Sequence, residues 1–169
     1  MVVVDQSFSR TLLRRILAVL VCRSLTEAKS VDAAWNAILL GPPDLLIVDW
    51  EMKKTGGLEL VRRIRHEEDS PERYLPIIML TAHSEKPRIV EARDAGVNEF
   101  IIKPLSPEIL FQHLNAVIEH PRPFVRTKDF FGPDRRRNKK PFKGEDRRKT
   151  IQKPMEAPSD LGDDDAPAS

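Results

Sequence analysis

Leu45-Leu46-Ile47-Val48-Asp49 is the stretch whose reading decides the fold. Four apolar residues in an unbroken run describe a strand buried on both faces, the pattern of a parallel sheet covered by helices. The run closes on a carboxylate, and an acid emerging from a buried strand is a place where acid-dependent chemistry is staged. Three other apolar runs close in a comparable way: Val2-Val3-Val4 on Asp5, Ile77-Ile78-Met79-Leu80 on Thr81, and Phe100-Ile101-Ile102 on Lys103. The four strand ends together supply two acids, a hydroxyl and an amine.

Outward from these runs, two periodicities alternate over residues 1–119. β-branched segments at 2–5, roughly 22–27, 44–49, 76–81 and 98–102 are separated by segments with helical spacing. Phe8, Leu12, Leu13, Ile16, Leu17 and Leu20 recur in steps of three and four, predicting one apolar helix stripe with Arg10, Arg14 and Arg15 largely off it. Leu58, Leu60, Val61 and Ile64 predict another inward face, and the helix over 87–95 stops at Gly96, a residue suited to a left-handed cap. Ser106 as N-cap, Pro107 in the first turn and Glu108 after it open a last helix that points Leu110, Leu114, Val117 and Ile118 inward. Five strands and five helices in strict alternation predict an α/β fold with a five-stranded, doubly wound parallel sheet. In such sheets ligands bind outside the carboxyl ends of the strands, where Asp5, Asp49, Thr81 and Lys103 all fall.

Charge divides the chain. The 169 residues carry 28 basic and 26 acidic side chains, a net +2 that says little. Residues 1–119 hold 15 basic and 17 acidic side chains, residues 120–155 hold 13 and 4, and residues 156–169 hold five acids and no base. Half of the 14 prolines lie in the last 50 residues, where periodic apolar segments are missing. A domain over 1–119 followed by a mostly disordered tail over 120–169 is the expectation, because burial there does not offset ordering entropy. The single cysteine, Cys22, excludes an internal disulfide and reads as a small core residue. The longest apolar stretch, 12–22, is interrupted by Arg14 and Arg15 and is too short to span a bilayer. With no secretory leader before Val2, a soluble cytoplasmic protein is expected.

A rim of two carboxylates, an amine and a hydroxyl is suited to a divalent cation and a phosphoryl group. Magnesium takes oxygen ligands from one or two carboxylates and keeps several waters. A carboxylate can also act as a nucleophile and form an aspartyl-phosphate, with a neighbouring cation and hydroxyl neutralising the transferring oxygens.

Val3-Val4-Asp5, Leu46-Ile47-Val48-Asp49-Trp50-Glu51-Met52, Gly57-Leu58-Glu59-Leu60, Ile78-Met79-Leu80-Thr81-Ala82 and Phe100-Ile101-Ile102-Lys103-Pro104 follow one another in an order and spacing that covers residues 1–119. In these motifs the chain resembles the receiver domain of two-component response regulators, including the stand-alone chemotaxis type. The resemblance implies the flavodoxin-like receiver fold, with Asp49 as phosphoacceptor, Asp5 in the acidic pocket, Thr81 and Phe100 as the switch pair, and Lys103 as the phosphate-binding amine. Asp5, Gln6, Asp49 and the backbone carbonyl of Glu51 would surround magnesium, and the Lys103-Pro104 peptide would be cis. The implied partners are a histidine kinase or phosphotransfer protein and a downstream protein target, and the implied role is a binding switch and not an enzyme.

Two features depart from the family pattern. Gln6 stands where a second acid is usual, and its carbonyl brings no charge, so magnesium is expected to be held weakly. After Asp49 the loop reads Met52-Lys53-Lys54-Thr55-Gly56-Gly57, without the usual proline, and is expected to be looser. Lys53 and Lys54 read as solvated loop charges, His66, His83, His113 and His120 share no ligand spacing, Trp35 packs on the second helix, and Trp50 borders the site.

The tail repeats a pattern with a period of 12 residues. Phe130-Phe131-Gly132-Pro133-Asp134-Arg135-Arg136-Arg137 and Phe142-Lys143-Gly144-Glu145-Asp146-Arg147-Arg148-Lys149 share Phe-x-Gly-x-Asp-Arg-Arg-basic. Arg135, Arg136, Arg137, Arg147, Arg148 and Lys149 are its candidate binding residues, for a nucleic acid, anionic lipid or an acidic protein partner, with the Phe rings free to stack on bases. Two alternatives to the phosphoacceptor switch follow: a phosphate-independent scaffold, suggested by Gln6 and the altered loop, and a nucleic-acid- or membrane-binding protein driven by the tail.

Overall fold

The computed structural model describes residues 1–20, 24–53, 56–82, 84–128 and 130–136, with the backbone of 149–151. Strand and helix alternate as the periodicities predict: β1 (Val2–Val3), α1 (Ser7–Val19), β2 (Glu27–Ala28), α2 (Val31–Leu40), β3 (Leu46–Asp49), α3 (Gly57–His66), β4 (Ile77–Thr81), α4 (Lys86–Asp94), β5 (Glu99–Ile102) and α5 (Pro107–Ile118). The five strands form one parallel sheet in the order β2-β1-β3-β4-β5. Cys22 and the start of the expected second strand lie outside the described residues.

Both faces of the sheet are covered, and successive strand residues serve opposite sides as period-two geometry requires. Val3, Leu46, Val48, Ile77 and Met79 pack with Trp35 and Ile38 of α2, Leu60, Val61 and Ile64 of α3, and Ala92 of α4. Val2, Val4, Ile47, Ile78, Leu80 and Ile101 face Leu13, Ile16 and Leu17 of α1 and Leu110 and Val117 of α5. Two of the expected inward residues do not comply. Phe8, in the first turn of α1, is 78% exposed, overhanging a groove beside the sheet's carboxyl edge, and Ile118 is 47% exposed. Val117 and Ile118 are separated by about 100° around the helix, so a narrow buried stripe takes only one of them.

Helix ends follow their local chemistry. The Ser106 hydroxyl accepts from Ile109 N at 3.2 Å, and Ser30 does the same for Ala33 N on α2 at 3.2 Å. Gly96, just past α4, adopts φ +96°, the left-handed turn that favours glycine.

Beyond residue 120 the described residues add a small sheet to the domain. Phe124–Arg126 (β6) pairs antiparallel with Phe131–Pro133 (β7) on one side and Lys149–Ile151 (β8) on the other, and Phe124, Val125, Phe130 and Phe131 are buried. This small sheet sits at the end of the domain opposite the strands' carboxyl edge. Tyr74, Phe124 and Phe131 form an aromatic cluster with centroids 5.1 to 5.5 Å apart. The aromatics supply, in few residues, the apolar area that composition averaged over fifty residues conceals.

Arg65 joins the extension to the domain. Almost fully buried, it donates to the carbonyls of Gly96 (3.0 Å), Arg73 (2.7 Å) and Leu75 (2.7 Å) and to Asn98 Oδ1 (3.1 Å), under the ring of Phe124. Burial pushes its guanidinium down from its ordinary value to about 9, so it stays protonated at neutral pH. Arg122 reaches Asn98 O and pairs with Glu99 at 3.2 Å, fastening the strand that leads into β6.

Candidate functional site

Four elements deliver the site. Asp49 is the last residue of β3 and Thr81 the last of β4, with Asp49 in register with Leu80. Lys103 follows β5 directly, and its amide donates to Thr81 O at 2.8 Å, so the three carboxyl ends are locked side by side. Asp5 follows the first strand, whose pairing continues through Val4 N to Ala28 O at 3.2 Å. All four residues from the predicted rim therefore converge on one edge.

Asp49 is fully buried as a residue, yet both carboxylate oxygens have partners: Lys103 Nζ donates to Oδ2 at 2.7 Å and Glu51 N to Oδ1 at 3.2 Å. A buried carboxylate keeps its charge only with such compensation. The peptide between Lys103 and Pro104 is cis. Behind Asp49, α3 begins so close to β3 that a Cβ on Gly57 would meet Asp49 O at 2.0 Å and Val48 Cγ2 at 2.8 Å, so only glycine permits this approach. Thr81, Phe100 and Trp50 line one small pocket under α4 together with Met79, Arg88, Ile89 and Ala92.

Asp5 and Asp49 are the acids at this edge, with Glu51 on the loop above. Asp5 Oδ2 accepts from Lys53 N at 3.1 Å, while Asp5 Oδ1 is buried without a hydrogen-bond partner among the described residues. A buried anionic oxygen without a donor is costly, and a hard cation is the partner that such an atom suits. Among the described residues no group of three or more His, Cys, Asp or Glu side chains converges, so the donor set is lean. Magnesium fits it, because that ion takes few protein carboxylates and retains waters.

Gln6 opens α1 beside Asp5. It is the exposed N-cap position of α1, and its Oε1 lies 3.4 Å from Ser9 Oγ, so its amide is turned to its own helix. Arg10 was not singled out by sequence. Its Nη1 donates to the carbonyls of Val4 (2.8 Å) and Asp5 (3.0 Å), placing a cation behind the acidic pocket. The only signal was its i+4 spacing from Gln6 on a helix that opens at the rim. Lys53 contributes its backbone amide; Lys54 and His83 lie outside the described residues.

In the tail, Arg135 stacks on Phe130 (3.7 Å from the centroid) and pairs with Asp94 at 2.9 Å, and Arg136 lies 3.6 Å from Asp134. Phe130 and Phe131 are buried and so are not free to stack on bases. Arg137, Arg147, Arg148 and the side chain of Lys149 lie outside the described residues.

A parallel α/β domain with an acid, an amine and a hydroxyl on adjacent strand ends defines a signalling receiver module. Residues 1–115 match the family described as the response regulator receiver domain, and the chain belongs to that family of two-component signalling proteins. It is similar to the chemotaxis protein CheY1 of Helicobacter pylori, with 34% identity over 119 residues, covering 70% of this chain and 94% of that protein. Chemotaxis protein CheY of Pseudomonas aeruginosa is 30% identical over 119 residues, with 70% and 94% covered. Among solved structures, Vibrio cholerae CheY4 shares the fold with a TM-score of 0.63 at 24% identity, covering 69% of this chain and 95% of that one. A solved chain from Chloroflexus aurantiacus superposes with a TM-score of 0.64 at 26% identity, covering 70% and 96%. The matched region in each comparison spans about the length of the expected domain. No helix among the described residues is long and apolar enough to cross a membrane.

Proposed function

We propose that this chain is a phosphoacceptor switch: Asp49 receives a phosphoryl group, and the domain's partner-binding face responds. The single observation that carries the reading is the Lys103 Nζ to Asp49 Oδ2 contact of 2.7 Å at the carboxyl edge of the sheet. An Asp49 oxygen attacks phosphorus, the bond from phosphorus to the donor nitrogen or oxygen breaks, and the leaving group departs with its electron pair. Lys103 stabilises the oxygens that gain charge, and the Thr81 hydroxyl donates to one of them. Magnesium, held by Asp5, Asp49 and the Glu51 carbonyl, would supply charge neutralisation. Movement of Thr81 and Phe100 then reaches α4 through the pocket that they share. The chain accepts and loses one phosphoryl group and acts by binding, without turning over another substrate.

The donor is a histidine kinase or phosphotransfer protein, and the output a downstream protein. A groove of about 220 Å³ lined by Phe8, Leu12, Leu13, Leu80, Lys103 and Leu105 opens beside the site and offers an apolar seat for the donor. A cytoplasmic location follows from this partnership. Acetyl phosphate labelling in the presence of magnesium tests the reading: the wild type is labelled and Asp49→Asn is not, whereas equal labelling of both or of neither rejects it.

A further inference from the structure

Helix α4 is poorly rooted in the domain: Ala92 is its one fully buried side chain, and Val90 is exposed. An exposed pair from Arg62 of α3 to Glu91 at 3.4 Å reaches its middle, and further contacts fall at its two ends. Near the first turn, the Arg88 guanidinium lies 5.5 Å from the ring centroid of Trp50, the residue next to Asp49. At the last turn, Asp94 pairs with Arg135 of the extension at 2.9 Å, and the Arg135 guanidinium lies 3.7 Å from the Phe130 ring centroid. A cation there also suits the negative end of the helix dipole.

The extension meets the turn after α4 backbone to backbone. A Cβ built on Gly132 would stand 2.8 Å from Gly96 Cα and 2.9 Å from the Phe130 ring, and one built on Gly96 would stand 3.1 Å from Phe131 O. Asp134 holds the segment in shape by accepting from Arg136 N at 3.0 Å, while its own amide donates to Pro123 O at 2.8 Å. Each residue named in the motif Phe-x-Gly-x-Asp-Arg-Arg thus has a task in the first repeat: Phe130, Gly132 and Arg135 meet the C-terminal end of α4, and Asp134 and Arg136 shape the segment that carries them.

We propose that residues 130–136 are an intramolecular latch on α4, and that the seated latch opposes the rearrangement that a phosphoryl group on Asp49 demands. The latch is seated in the arrangement where Lys103 bonds directly to the Asp49 carboxylate. Its contacts therefore favour that arrangement, and a ligand that draws Thr81, Phe100 and α4 into another must act against them. Coupling of this kind is reciprocal: releasing the latch eases phosphoryl capture, and phosphoryl capture loosens the latch. The coupling half of the proposal rests on the phosphoacceptor reading; the latch itself does not.

The experiment compares full-length wild type, Arg135→Ala and Gly132→Val. Hydrogen exchange of the α4 amides without added ligand reads the latch, and titration with beryllofluoride plus magnesium, followed by tryptophan fluorescence, reads the coupling. Both variants should exchange α4 amides faster than wild type and bind beryllofluoride about fivefold or more tightly, the low end of typical coupling. Arg135→Ala leaves the backbone contact intact and guards against a folding failure of Gly132→Val. Unchanged α4 exchange in both variants overturns the latch. Equal or weaker beryllofluoride affinity, with faster α4 exchange, overturns the coupling while leaving the phosphoacceptor reading in place. A wild type that does not respond to beryllofluoride overturns the phosphoacceptor reading and with it the coupling, and the exchange result then decides the latch alone.

Discussion

Asp5 Oδ1 is the atom that says most about the site, because a buried carboxylate oxygen with no hydrogen-bond partner among the described residues lies on the same edge as Asp49. With one acid fewer than the usual pair, its attraction for a cation is expected to be weak. At about 4 Å and an effective dielectric of about 20, a carboxylate and a unit charge attract by up to about 4 kcal/mol before screening. Replacing Gln6 by Asp should therefore tighten magnesium binding, by about tenfold after screening. A magnesium titration read by tryptophan fluorescence checks this, and an unchanged midpoint places residue 6 outside the cation's reach, in keeping with its bond to Ser9. His66 makes a second, independent prediction. Burial first, then the guanidinium groups of Arg65, Arg73 and Arg62, hold its imidazole below the ordinary value of 6.5. The unfolded chain takes up this proton more readily than the folded one, so acid favours unfolding. Stability contributed by neutral His66 is present above about pH 6.5 and declines as pH falls toward the lowered value. Thermal midpoints of wild type should fall more steeply from pH 7 to pH 5 than those of His66→Gln, and parallel curves would show that the group does not titrate against folding.

At the scale of elements, the strands and the capped helices were legible because each depends on its own residues. Leu45 to Val48 could be read as a two-sided buried strand, and Ser106-Pro107 as a helix start, without knowledge of any neighbour. Phe8 and Ile118 were misplaced because their burial depends on where the helix meets the sheet, which no local spacing encodes. Arg65 escaped notice for the same reason: on α3 it is one of three arginines, and only the loops before β4 and β5, with Phe124 above, turn it into a buried hub. The roles of Arg10 and Gln6 at the site were likewise set by packing of α1 against the strand ends, not by the motif that drew attention to Asp5. Arg65→Met should leave three carbonyls and Asn98 without their donor and lower stability by about 3 kcal/mol. Urea denaturation measures it, and a loss under about 1 kcal/mol would mean that water or a neighbour satisfies those acceptors.

For the whole molecule, the extension is the feature that composition concealed. Proline and charge counts over 120–169 describe a segment without a core of its own, whereas Phe124, Val125, Phe130 and Phe131 complete a core begun by Tyr74 and Arg65. Fully burying an aromatic or branched side chain stabilises by about 1.5 to 3 kcal/mol before ordering entropy is subtracted. Ending the chain after His120 should accordingly lower the thermal midpoint by several degrees, and an unchanged midpoint would show that the small sheet contributes nothing net. The family and the phosphoacceptor edge are separable from this, since the residues matched to the family end at 115. Phosphoryl transfer to Asp49 is the central claim. Labelling with acetyl phosphate and magnesium, followed by mass spectrometry of wild type, Asp49→Asn and Lys103→Ala, tests it most directly. One base- and hydroxylamine-labile phosphoryl group on Asp49 of the wild type, none on Asp49→Asn and sharply less on Lys103→Ala is the expected result; a phosphoryl group elsewhere, or none on the wild type at saturating magnesium, contradicts it.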